Sequence, residues 1–564
     1  MAIKRYIANA DTTITNALRA NLKTRGTGSN MGASDILEVF SIYGQASGSA
    51  GQSSELSRVL VKFPVEDMST DRTNSKIPAS GSVKWILKLS NAEHGQTLPK
   101  DFTLYAQAVA KSWEEGTGLD MEEYTDLTNV DTGANWENAS SNTQWDTVGG
   151  DYLVSGSGQD DSIVYTARFE EGHEDLEIDI SDLVEEWIDE GTISNYGLGI
   201  FLTGSQEAYF SGSGLTVQGG DFGTGAPEIA IDQSVSAYSA TPAASGSVPF
   251  NITGSTRSYY TKRFFGRGSE FFYKRPHIEA RWDDTVKDQR GQFYFSSSLA
   301  TDTENLNTLY LYNVVRGKLT NIPNIGTGAI YVTLYSGSSD NTMPAGNKLI
   351  QSAPIEEQNI CAGLDTSTGS HVSTGVYKCD VCLTASDGGK APLTTIFDVW
   401  TNGDPGGSDA FETYHSGTIH PLSLKASQFD PTFSGRYVTS ITNLRGAYFN
   451  EENARFRLFV RPKNWNPNVY TKATAIPQNT IINSASYRVY RTIDELDVVP
   501  FGTGSSGLHL RHTHLSYDSQ GNYFDLDMSM LETGYSYALK LAYYNDSNSS
   551  WVEQPETFKF RVES

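Results

Sequence analysis

Cysteine is scarce: the chain has three in 564 residues. So few thiols build no disulfide framework, and the fold is not expected to depend on an oxidising compartment. Long apolar runs are missing too. None approaches the roughly 18 residues of a membrane span, and the opening MAIKRYIANADTTITNAL has a basic start without the apolar segment of an export signal. Cytoplasmic synthesis and no membrane span are the expectations. Positive charge is in short supply, with 42 Lys and Arg against 67 Asp and Glu, a net charge of −25. Such a field repels nucleic acid and anionic membranes over the Debye length, so nucleic acid is not an expected partner. Catalytic signatures are absent as well: there is no Gly-x-Ser-x-Gly, no glycine-rich phosphate loop before a lysine, and no His-Glu-x-x-His. No catalytic residue and no cofactor are assigned, and the chain is not expected to be an enzyme.

What is abundant is aromatic and small. Tyr 30, Phe 25, Trp 9 and Gly 52, with long Ser/Thr/Asn/Gly stretches, favour β-sandwiches joined by exposed loops. The length exceeds one hydrophobic core several times over. A crossing at RGQFYFSSSLATDTENLNT, residues 290–308, and a Pro/Ser/Gly stretch at LKASQFDPTFSGRYV divide the chain into 1–288, 289–430 and 431–564. The last two parts echo each other: TGVYKCDVCL at 374 and TGYSYALKLAYY at 533 both place a glycine turn before a tyrosine-bearing strand. In the second of these, Tyr535 or Tyr537 is a candidate for a tyrosine corner, whose hydroxyl ties a sandwich corner to upstream backbone.

The stretch LEIDISDLVEEWIDEGTISNYGLGIFL, residues 176–202, changes period twice. Leu176, Ile178 and Ile180 alternate as a half-buried strand. Leu183, Val184, Trp187 and Ile188 then share one face of a short helix. Ser181 or Asp182 is expected to cap that helix and Gly191 to end it in the left-handed conformation. Its apolar face would close one end of a sandwich before NYGLGIFL resumes as a core strand.

This strand, Trp-containing helix and N-x-G strand resemble DNRLRE-type β-sandwich modules. ADTTIT, NMGASDILEV, SRVLVKFPV, FTLYAQAVAKSWEEGTG and RPHIEARW look like that family's successive core strands, stretched by insertions, over about 285 residues. The resemblance implies a non-catalytic module. The whole run, with FFYKRPHIEARWDD and GNYFDLDMSMLETGYSYALKLAYY, is similar to structural proteins of marine tailed bacteriophages. It implies assembly in host cytoplasm into a virion, with other virion proteins and further copies of the chain as partners.

Four groups of residues carry candidate chemistry. Cys379 and Cys382, with Cys361 and His371 upstream, have the residue types of a zinc site, but on a strand two cysteines three apart face opposite ways, so free thiols are expected. His512 and His514, in HLRHTHL, would share one face of a strand and are weak metal candidates; no metal is assigned. Residues 256–281 hold seven Lys/Arg and two Glu, a local balance of +5. Arg257, Lys262, Arg263, Arg267, Lys274 and Arg275 are therefore candidates to bind an acidic partner surface. Alternatively, Arg263, Arg267 and Lys274 neutralise the acidic helix at 182–190. Finally, Trp113, Trp136 and Trp145 lie in polar loop sequence and would stack on sugar if a host surface glycan were bound.

The expected fold is all-β: three tandem β-sandwiches, the first jelly-roll/DNRLRE-like with one short helix, the other two immunoglobulin-like. The expected role is a structural protein of a tailed-phage virion, in capsid, neck or tail appendage. A glycan-binding, adhesive surface protein is the alternative.

Overall fold

The computed structural model describes residues 2–18, 26–48, 51–95, 98–119, 133–153, 164–189, 191–207, 259–298, 300–301, 303–338, 340, 342–351, 365–384, 393–403, 411–422, 436–463, 469, 479–504, 510–546 and 548–564. It is an all-β, multi-domain sandwich protein. Two compact units form. One holds Ala2–Asp283 and Thr503–His512; the other holds Asp284–Gly502 and Thr513–Ser564.

In the first unit a four-stranded antiparallel sheet runs in the order Ile3–Ile7, His277–Arg281, Lys84–Leu89, Leu176–Asp179. A second sheet runs Tyr259–Phe265, Ile36–Gly48, Gly51–Lys62, Leu198–Leu202, Phe102–Ala108, Val164–Phe169, with Ala10–Thr15 also paired to Gly51–Lys62. Side chains from both sheets, including Trp85, Leu87, Ile278, Val59, Val61, Leu104 and Ile200, share one core. Residues 176–202 form strand, helix and strand, as their change of period implies. All five residues of Leu198–Leu202 are buried because both faces of this strand are covered. Leu198, Ile200 and Leu202 face the sandwich core, while Phe201 joins a second cluster with Trp113, Trp136, Trp145 and Tyr152. Gly199 permits this: a Cβ there would meet the Tyr152 ring at 2.0 Å.

Two helices pack against the unit's core and against each other. SRVLVKFPV suggested a strand through Val65, but the strand ends at Lys62 and helix α1 spans Val65–Thr73. Helix α2, Ser181–Ile188, buries Leu183, Val184, Trp187 and Ile188 in the sandwich core. Its cap differs from the expectation. Ser181 is already helical, and its amide donates to Asp179 Oδ1 at 3.0 Å while its hydroxyl accepts from Trp85 N at 2.9 Å. A carboxylate two residues earlier thus satisfies a free helix-end amide, and Ser181 is released to fasten the neighbouring strand. Gly191 is not left-handed either; a Cβ on it would strike the Glu186 carboxylate at 2.1 Å, which accepts from Thr192 N at 2.6 Å.

Among the described residues the second unit contains three main sheets. One runs Asn307–Tyr312, Val376–Val381, Thr366–Ser373, Ile330–Gly337, Ile396–Thr401, Thr413–Ile419. Thr366–Ser373 passes from one partner to the other, pairing first with Ile330–Gly337 and then with Val376–Val381. The two halves of this sheet share a core of Leu309, Tyr377, Val381, Ile330, Val332, Ile396 and Trp400. The other two sheets are Tyr437–Ile441, Asn453–Pro462, Gly521–Asp527, Ser516–Asp518, and Ala447–Phe449, Phe558–Glu563, Ser536–Asn545, Ala485–Arg491, Asp497–Val499. Between them the rings of Phe456, Phe524 and Tyr487 stack, with centroids 5.1 Å and 4.1 Å apart. The tyrosine corner is present. Tyr537 is fully buried, and its hydroxyl donates to Glu532 O at 2.7 Å.

Candidate interaction surface

The basic strand is turned largely inward. Lys262 lies on Tyr259–Phe265 with 1% of its surface exposed. Its ammonium donates to Asn91 Oδ1 at 2.7 Å, Glu174 O at 2.6 Å and Gly172 O at 3.0 Å, above the rings of Phe169 and Phe264. Burial pushes this ammonium down to about 8, against the pull of Glu174 and Asp175. Arg263 pairs with Glu38, and Arg267 grips Glu115 through two bonds of 2.7 and 2.6 Å. Arg275 donates to Ser269 O at 2.8 Å, and Lys274 is half-buried at the end of the turn Phe272–Lys274. Arg257 lies outside the described residues. The acidic helix is neutralised by a different residue: Arg72 of α1 holds Glu185 with bonds of 2.5 and 2.6 Å, and Trp85 Nε1 adds a third at 2.7 Å. Sequence distance hid this partner, since α1 and α2 meet only in the folded unit.

The tryptophans require a correction. Trp113, Trp136 and Trp145 are 7%, 4% and 5% exposed, so none presents a ring face to a sugar. Together with Tyr152 they cover the outer face of the larger sheet. Trp113 Nε1 donates to Tyr196 O at 2.7 Å and Trp145 Nε1 to Asn135 O at 2.9 Å, which settles the polar edge of each buried indole. Polar loop sequence concealed a second core. Under it Arg58 lies against Trp136, Tyr152 and Phe201.

The His-x-His reading is corrected too. Residues 511–513 form a turn, not a strand, so the two rings do not share a face. His512 Nδ1 lies 2.6 Å from Leu510 O, whereas the His514 ring packs edge-on against Trp551. Cys379 is a buried free thiol, and burial raises it far above the ordinary thiol range. Cys382 is disulfide-bonded, which corrects the expectation of free thiols throughout; Cys361 lies outside the described residues. Among the described residues no group of three or more His, Cys, Asp or Glu is placed to hold a metal ion. No described helix is long and apolar enough to cross a membrane.

A projecting hairpin in the second unit escaped the sequence reading. Val314–Val315 pairs with Lys318–Leu319 across Arg316 and Gly317, whose φ angles are 52° and 80°. Two successive left-handed residues make the turn whose twist suits a two-residue hairpin. Val314, Val315 and Leu319 are 57%, 50% and 46% exposed, and a Cβ on Gly317 would meet nothing within 4 Å. The base is fixed: Asn313 N donates to Gly375 O at 2.8 Å, Thr320 N to Asn313 O at 3.0 Å, and Asn313 Nδ2 to Thr320 O at 2.7 Å. Val372, close to the Gly375 turn, is exposed as well. The hairpin thus presents three aliphatic side chains and two cations on a short arm. The Arg-Gly pair between Val-Val and Lys-Leu was the available signal, but VVRGKL also reads as one continuous strand.

No family profile and no curated protein matches the chain. Among solved structures, a mutant of Salmonella alpha-2-macroglobulin is similar at 9% identity and a TM-score of 0.13, with all of this chain aligned to 34% of that one. This chain spans about a third of that protein's length, and a likeness so slight carries no argument.

Proposed function

We propose that this chain is a non-catalytic structural protein of a tailed-phage virion, assembled in host cytoplasm and acting through protein–protein interfaces in the capsid, neck or tail appendage. The observation that carries the interface is the hairpin at 314–319. Aliphatic side chains held in water on a fixed arm gain free energy when a partner covers them, at roughly 25 cal/mol per Å² of apolar surface. Arg316 and Lys318 select the partner's charge. The chain as a whole is at −25, so the acidic surface of a neighbouring copy is the complement this arm fits. The resemblance to marine phage structural proteins in FFYKRPHIEARWDD and GNYFDLDMSMLETGYSYALKLAYY supports the virion setting. Inward-turned tryptophans leave the glycan-binding alternative without its candidate residues.

Sedimentation velocity tests the reading, together with co-sedimentation on particles from an infected host. The wild-type chain should self-associate and travel with particles, and Val314→Asp with Val315→Asp should shift it toward monomer while leaving its folding intact. A wild-type chain that stays monomeric at every concentration and never co-sediments would overturn the proposal.

A further inference from the structure

We propose that Lys262 and Asn91 are a covalent cross-linking site, closing into an intramolecular isopeptide bond within the first unit. The two side chains are brought together by backbone. Asn91 bridges to Phe264, Ala92 N donates to Arg263 O at 3.0 Å, and Phe265 N donates to Ser90 O at 3.0 Å. These contacts bracket Asn91, and Lys262 itself is held in register opposite Val39 of the neighbouring strand. Lys262 Nζ lies 2.7 Å from Asn91 Oδ1, so the amide carbon is one bond beyond the atom it touches. Phe169 and Phe264 stand 4.7 and 5.3 Å from the nitrogen and keep water from that side.

Two properties of a good intramolecular nucleophile coincide here. Orientation is prepaid, because both groups sit on paired backbone in a packed core. Burial disfavours the charged form, which raises the share of free amine near neutral pH.

The step balances without any further reagent. The Lys262 ammonium first loses a proton to solvent, leaving the free amine. The amine lone pair then adds to the Asn91 amide carbon, forming the new C–N bond, and the carbonyl electrons move to oxygen. A second proton leaves the attacking nitrogen and is delivered to the amide nitrogen. The carbonyl re-forms, the old C–N bond breaks, and ammonia departs, taking up a proton from solvent as ammonium ion. The product is a secondary amide joining positions 171 residues apart. Such a staple suits a strand that must stay in its sheet after a long insertion, because it closes a large loop in the unfolded chain.

Intact mass spectrometry of the denatured full-length chain, held folded at pH 8 beforehand, tests the inference. The wild type should be lighter than its sequence by one ammonia, and proteolysis should release a branched peptide containing both Lys262 and Asn91. Asn91→Ala should have the mass of its own sequence. A wild-type chain at full sequence mass overturns the proposal, and so does a lost ammonia with Lys262 and Asn91 recovered in separate linear peptides. The readout is taken on the wild type, so it does not depend on whether a variant folds.

Discussion

Arg58 holds Glu207 by two hydrogen bonds, Nε to Oε1 at 2.9 Å and Nη2 to Oε2 at 2.7 Å, and the side chains are 0% and 1% exposed. A third bond, from Nη1 to Gly149 O at 3.0 Å, ties the same guanidinium to the aromatic cover. The pair therefore links the sheet strand Gly51–Lys62 to the segment at 204–207 and to the loop at 149. Removing one member leaves the other charge buried without compensation, which costs far more than the pair's net value.

Arg58→Ala should accordingly destabilise the first unit by about 3–5 kcal/mol. Arg58→Met combined with Glu207→Leu should recover much of that loss, because neither charge then remains. Urea unfolding of the three chains checks the order. Equal stability of the single and double variants would show that charge burial is not the cause.

Trp145 is a core residue, so Trp145→Ala should cost about 3–5 kcal/mol through lost burial and the cavity left behind. Trp145→Phe should cost less while still orphaning Asn135 O. Denaturant midpoints monitored by tryptophan fluorescence provide the measurement. A loss below about 0.5 kcal/mol, the range of ordinary surface substitutions, would place the ring outside the core.

Tyr537→Phe removes one hydroxyl and nothing else. It should cost about 1 kcal/mol, the usual net value of a buried hydrogen bond, through loss of the bond to Glu532 O at the corner. Tyr535→Phe should be neutral by comparison. Thermal unfolding of the second unit separates the two.

His512 is pushed down to about 4, chiefly by burial and then by the nearby Arg281. The unfolded imidazole keeps the ordinary value of 6.5. Between those values the unfolded chain binds a proton that the folded chain refuses, so His512 makes stability fall as pH drops from 6.5 toward 4 and takes nothing from it above 6.5. His512→Gln should flatten that part of the pH–stability curve of the first unit. Glu279, held well below the usual carboxylate range by Lys88, Arg5, His277 and Arg281 against its burial, adds a loss of the same sign, but it sets in only as pH approaches the unfolded value of 4.5, at the acid end of this window. An unchanged slope in the variant would show that His512 is solvated.

Much of the fold could be read from patterns one segment long. The strand, helix and strand at 176–202 were legible because apolar spacing changes from two to the helical period and back, and the face so chosen is the face that is buried. The tyrosine corner was legible to within one turn of choice between Tyr535 and Tyr537. Helix α1 was not: VEDMSTDRT carries no apolar stripe, and three of its contacts are polar, Arg72 on Glu185 and Tyr6 and Lys4 on Asp71. Nor was the burial of Trp136 and Trp145, which sit in Asn/Ser/Thr-rich sequence.

The sequence by itself determined the class of structure and the charge of the surface, because alternation, glycine turns and an excess of carboxylates are local or additive properties. Only the tertiary structure decided which cations are buried or paired and which are displayed. Lys262 is spent inside, Arg267 on Glu115, and Arg316 and Lys318 stand on an exposed hairpin. The physical reason is that an ion pair or an aromatic cover depends on which distant strands become neighbours, and a buried charge is tolerated only where that neighbourhood supplies its partners.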